Sequence, residues 1–134
     1  MEKNFQKDKL KKKSFKRFIH SFKYALEGIK YAFYNEVNIF VMIIIAIVSV
    51  ILGAILKLSY VECLVVVLLI GVILSLELIN TAIEAVVDLA TEKMHAKAKV
   101  AKDCASGAVA VMSIFAIILG LMIYLPKIIE LFTR

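Results

Sequence analysis

The chain has 134 residues, of which 62% are hydrophobic and 21% charged, with a formal net charge of +6. Its mean hydropathy is +0.89, and its apolar share lies well above the roughly 45–50% of soluble domains. One domain of this length has too little interior to hide the excess, which excludes a soluble fold and points to an integral membrane protein.

Residues 1–13, MEKNFQKDKLKKK, are polar and lysine-rich and are expected to form a disordered basic arm. On a soluble domain the net positive charge would suit nucleic acid. Here it precedes the first apolar run, which favours anionic lipid headgroups and no nucleic-acid partner. That run begins too late for a secretory signal and has no small-residue cleavage site after it. Over residues 14–34, Phe15, Phe18, Phe22, Ala25, Ile29 and Phe33 recur at helical spacing, interrupted by Lys16, Arg17, Lys23 and Lys30. This predicts an amphipathic helix lying in the membrane interface, with Ser14 as its N-cap.

Three apolar segments follow, at about 37–56, 61–90 and 104–125, each long enough to span a bilayer. A polar turn, Lys57 to Tyr60, joins the first two, and residues 91–103 form a polar connection to the third, which is expected to stop at Pro126. One proline and five glycines leave few breakers for long helices. Residues 14–134 thus form one domain, an all-α membrane protein with one interfacial helix and three spans. Ten of the seventeen Lys and Arg residues precede the first span and four lie in the 91–103 loop, against one in the 57–60 turn and two after Leu125. The two rich regions fall on one side of a three-span chain, which predicts a cytoplasmic N-terminus and an external C-terminus.

The second span ends in SLELINTAIEAVVDLA, where Glu77, Asn80, Glu84 and Asp88 share one helical face. A carboxylate drawn into hydrocarbon costs several kcal/mol unless it is paired, protonated or put to use. The topology brings Glu36, just before the first span, and Lys102 and Asp103, just before the third, to the same interface. Such a set of carboxylates, an amide and a lysine at one depth suits a divalent metal and polyphosphate. Each of these residues has a plainer reading. Glu36 and the Lys102–Asp103 pair are also what an ordinary interface carries, and Glu84 and Asp88 are also what a solvated helix end carries. Glu77, deepest and with apolar neighbours on both sides, fits the plain reading worst. Glu62 reads as an interfacial charge, Cys63 and Cys104 as small apolar residues, and His20 and His95 as interfacial residues without zinc-type partners. No GxxxxGK[ST] loop or glycine-rich phosphate cradle occurs.

ELINTAIEAVVDL, followed after a short polar loop by AKDCASGAV, resembles the prokaryotic diacylglycerol kinase family, including its Gram-positive undecaprenol kinase branch. The upstream RFIHSFKYALEGIKYAFYNEVN fits the same family without gaps, so the resemblance covers about residues 15–126. It implies a trimer of three-span subunits that transfers the ATP γ-phosphate to a lipid hydroxyl at the membrane surface. It further implies Glu77 as general base, with Asn80 orienting Glu77 or the transferring group, and Glu36 and Glu84 holding Mg²⁺ against the ATP phosphates. Lys102 and Asp103 would contact the nucleotide, as would Arg17, Tyr24, Lys93 and His95; Lys93 stands where better-known members carry an acidic residue. Arg17, Ser21 and Ser106 would border the lipid site. The Lys/Ile-rich composition, the YLPK ending and the phenylalanine-rich surface helix resemble the undecaprenol kinases more than the enterobacterial diacylglycerol kinases. Undecaprenol is therefore the expected lipid and diacylglycerol the alternative. A reading of another class is a non-enzymatic membrane subunit whose carboxylates pair with a partner helix.

Overall fold

The computed structural model describes residues 2–91 and 95–133, with side chains described from Lys16 onward. Its elements are four helices, α1 (Glu2–Asn35), α2 (Val37–Ile55), α3 (Tyr60–Ala90) and α4 (Ala96–Thr133). They form two compact units, α1 in one and α2–α4 in the other.

The first helix begins at Glu2, so the stretch expected to be a disordered arm is helical and Ser14 lies inside the helix rather than at its cap. Lys, Glu, Gln and Leu are strong helix formers, and no glycine or proline interrupts them before Gly28. Further along, neighbours one turn apart engage along the helix. Phe18 and Phe22 meet edge to face at 5.0 Å, and Lys23 lies 3.8 Å from Glu27.

Helices α2, α3 and α4 are each long and apolar enough to cross a membrane. The turn between α2 and α3 is built from two caps. Lys57 adopts a left-handed conformation, φ 54°, and Leu58 and Lys57 donate their N–H groups to the carbonyls of Gly53 (3.0 Å) and Ala54 (3.3 Å). This is a Schellman closure of α2. A Cβ on Gly53 would stand 3.0 Å from Leu58 Cδ1 and 3.5 Å from the Tyr124 hydroxyl, so the absence of a side chain lets the turn fold back tightly. At the start of α3, Ser59 accepts from the Glu62 N–H at 3.4 Å while its own N–H donates to Glu62 Oε2 at 2.6 Å. Glu62 is therefore half of a capping box, and it also lies 3.7 Å from Lys127 Nζ.

Helix α4 packs along α3 in antiparallel fashion, and α2 packs against α3 more sparingly. Asp88 near the end of α3 pairs with Lys102 near the start of α4, and Glu62 at the start of α3 with Lys127 near the end of α4. Ile39, Val66, Ala105 and Val109 fill the seams, and the Tyr124 hydroxyl on α4 donates to the Ser49 carbonyl on α2 at 2.8 Å. Two expectations about the third span are corrected. The connection closes at His95, so residues 96–103 belong to α4, and Pro126 lies within that helix instead of ending it. A proline forfeits a single N–H, and a long apolar helix tolerates the loss where its ends are held elsewhere.

Candidate active site

Among the described residues, the only buried polar or charged ones are Glu77, Asn80 and Thr81, 2%, 6% and 6% exposed, together on one stretch of α3. Thr81 Oγ1 donates to the Glu77 carbonyl at 3.0 Å. Asn80 Nδ2 donates to Glu84 Oε1 at 2.9 Å, so the amide orients Glu84 and not Glu77. Two buried acceptors, Glu77 Oε1 and Asn80 Oδ1, have no hydrogen-bond partner. Burying such an atom unpaired costs about 1–3 kcal/mol, more for a charged group.

Glu36 joins the same place from the start of α2. It occupies the N-cap position, yet its side chain makes no capping hydrogen bond. Its carboxyl is held above the usual carboxylate range by burial first, then by the negative fields of Glu84 and Glu77. Glu36 thus stands in the field of two α3 carboxylates that follow it by more than forty positions in sequence. Lys102 Nζ reaches α3 from α4 and sits 2.6 Å from Asp88 Oδ1. That contact was missed in the sequence, although Asp88 lies one turn beyond Glu84 on the face that drew attention. Asp103 and Ser106 are exposed on the same part of α4.

Other predicted site residues are placed differently. His95 precedes α4, and its Nδ1 accepts from the Lys97 N–H at 3.2 Å, so its ring caps the helix. Lys93 lies outside the described residues. Arg17, Ser21 and Tyr24 share one exposed face of α1, where the Ser21 hydroxyl donates to the Arg17 carbonyl at 2.9 Å. Between α2, α3 and α4 lies a cavity of ≈ 320 Å³, lined chiefly by apolar side chains and by Asn38, Ser49 and Ser113. Leu74, also in its wall, is one helical turn from Glu77.

Among the described residues, no three His, Cys, Asp or Glu side chains converge closely enough to hold a metal ion by themselves. Mg²⁺ needs no such cage: it is usually held by one or two carboxylates together with waters and substrate phosphates. Glu36 and Glu84 offer hard carboxylate oxygens of the type this mode uses, and Glu36 stands in the field of Glu84.

The three spans thus carry one cluster of buried polar residues among the described residues, on α3, with Glu36 of α2 in the field of Glu77 and Glu84. The sequence model of the prokaryotic diacylglycerol kinase family matches residues 23–124. The undecaprenol kinase of Bacillus subtilis is 46% identical over 111 residues, 83% of this chain and 90% of that protein. A diacylglycerol kinase of Synechocystis is 38% identical over 83% of this chain and 64% of its own length. One from Helicobacter pylori is 33% identical over 78% of this chain and 82% of its own. The chain belongs to the prokaryotic diacylglycerol kinase family, and is a membrane lipid kinase.

Proposed function

We propose that this protein phosphorylates undecaprenol with Mg²⁺·ATP at the cytoplasmic face of a bacterial membrane, working as a homotrimer. The observation that carries the reading is the pair of buried, donor-less oxygens on Glu77 and Asn80, near Glu36, whose carboxyl stands in the field of Glu84 and Glu77. A lipid hydroxyl entering from the apolar cavity supplies the missing donor. Glu77 accepts its proton as the oxygen attacks the γ-phosphorus, and the bond from that phosphorus to the bridging oxygen breaks as ADP leaves. Bound Mg²⁺ supplies charge neutralisation for the phosphates, and Glu36 and Glu84 are the residues that would hold it. Asn80 keeps Glu84 directed at the site through its 2.9 Å hydrogen bond. Lys102 and Asp103 face the nucleotide from α4, the lysine against phosphate charge. Arg17, Tyr24, Lys93 and His95 complete the nucleotide contacts in this proposal, and Arg17, Ser21 and Ser106 border the lipid.

Undecaprenol is favoured over diacylglycerol by the 46% identity with the Bacillus kinase over nearly its full length. The deciding experiment presents purified protein with radiolabelled ATP, Mg²⁺ and either lipid in separate micelles. Label in undecaprenyl phosphate at a higher kcat/KM is expected. Preferential labelling of phosphatidic acid overturns the choice of lipid, and no label in either overturns the kinase assignment.

A further inference from the structure

We propose that Asp88 is a positioning residue that holds the Lys102 ammonium across the α3–α4 seam, directed toward the nucleotide phosphates and away from Glu84. The proposal rests on the lipid-kinase reading of this site. The Asp88–Lys102 contact, 2.6 Å, is the shortest ion pair among the described residues. It links the last turns of α3 to the first turns of α4, so it fixes where Lys102 presents its charge, at the opposite end of the seam from the Glu62–Lys127 pair. Glu84 precedes Asp88 by one turn on the same face. A Lys102 released from Asp88 therefore has Glu84 as its next anion. Closing on Glu84 would neutralise a carboxylate that the site needs for its cation, and would withdraw the lysine from the phosphates. Asn80 already holds Glu84 from the other side, so Asp88 and Asn80 together keep the acid and the base of this corner apart.

A purely structural role is a poor account of the pair. The Lys102 and Asp88 side chains are 37% and 66% exposed, and ion pairs open to water in this way contribute little to folding. The loss of Asp88 should consequently appear in ligand binding, with assembly intact.

A double-mutant cycle tests this on the full chain in lipid nanodiscs, with Mg²⁺·ATP affinity measured by calorimetry and lipid phosphorylation measured on the same samples. Asp88→Asn should weaken Mg²⁺·ATP binding and raise its KM about tenfold, within the range of couplings between contacting residues. More Mg²⁺ should be needed for half-maximal rate, while kcat changes by less than about threefold and Asp88→Glu restores most of the affinity. In a Lys102→Gln background, Asp88→Asn should have no further effect on affinity. Wild-type affinity in Asp88→Asn, or an undiminished effect in the Lys102→Gln background, overturns the proposal. So does loss of the assembled fraction in parallel with activity. Should the wild type bind Mg²⁺·ATP yet phosphorylate neither lipid, the kinase reading fails on its own, and the binding cycle still decides the role of Asp88.

Discussion

Glu77 is the least exposed polar side chain among the described residues, 2% exposed, and its Oε1 has no hydrogen-bond partner. If it is the base, Glu77→Gln keeps the shape and is cheaper to bury. Mg²⁺·ATP affinity should then stay near wild type while lipid phosphorylation falls by about two to four orders of magnitude. A well-assembled mutant that phosphorylates lipid at the wild-type rate would sink the assignment. Glu36→Gln and Glu84→Gln should behave differently, each weakening Mg²⁺·ATP binding and abolishing most turnover, since an amide is a poor ligand for a hard cation; unchanged Mg²⁺ dependence in either removes that residue from the site. The face bearing Glu77, Asn80 and Glu84 was legible from a spacing of three and four in an apolar run. What that spacing does not encode is the choice among partners. Asn80 reaches Glu84, and Asp88 reaches Lys102, because rotamers and the approach of α4 select between neighbours one turn apart.

At the scale of the elements, the three spans were legible from length and hydropathy, while their ends were less so. Ser59 and Glu62 form the S-x-x-E pattern of a capping box, a local signal that the interfacial reading of Glu62 passed over. Pro126 and the polar run after Thr91 misled for a shared reason. Both are breakers or loop formers in isolation, but α4, packed along α3 and tied at each end by an ion pair, includes residues 96–103 and continues through Pro126. Lys57 carries a left-handed φ of 54° without being glycine, a conformation that costs an L-residue roughly 1–2 kcal/mol. Lys57→Gly should stabilise the α2–α3 turn by about 1 kcal/mol, read as a shift in the unfolding midpoint in detergent. A midpoint that falls would mean that the lysine side chain contributes more than its backbone costs.

For the whole molecule, charge and apolar surface give separate information. The excess of Lys and Arg lies before α2 and within residues 91–103, which sets the proposed orientation. A reporter fused after Arg134 should be found outside, and one inserted near residue 95 should be found in the cytoplasm. A cytoplasmic C-terminus would take away the common face that the site requires. Little of each span is buried within α2–α4, so lipid or further copies of the chain must cover the rest. Chemical cross-linking of the purified protein should stop at three copies, and a protein that remains monomeric while active removes the trimer from the proposal. The trimer rests on the family resemblance and not on hydropathy, because an apolar face suits acyl chains and a neighbouring helix equally well.

Helix α3 has 31 residues, so at 1.5 Å per residue it measures ~46 Å against a hydrocarbon layer of ~30 Å. The surplus, ~16 Å, nearly equals the rise along the helix from Glu77 to Asp88. In the proposed orientation, with Glu62 and the α3 cap at the outer boundary, α3 stands above the inner boundary like a pier. Its foot is at the depth where a prenol hydroxyl floats, and its head is in the water from which nucleotide arrives. A long lipid tail then never has to leave the bilayer, nor a polyphosphate enter it, because the distance between the two solvents is bridged by a rigid stretch of backbone.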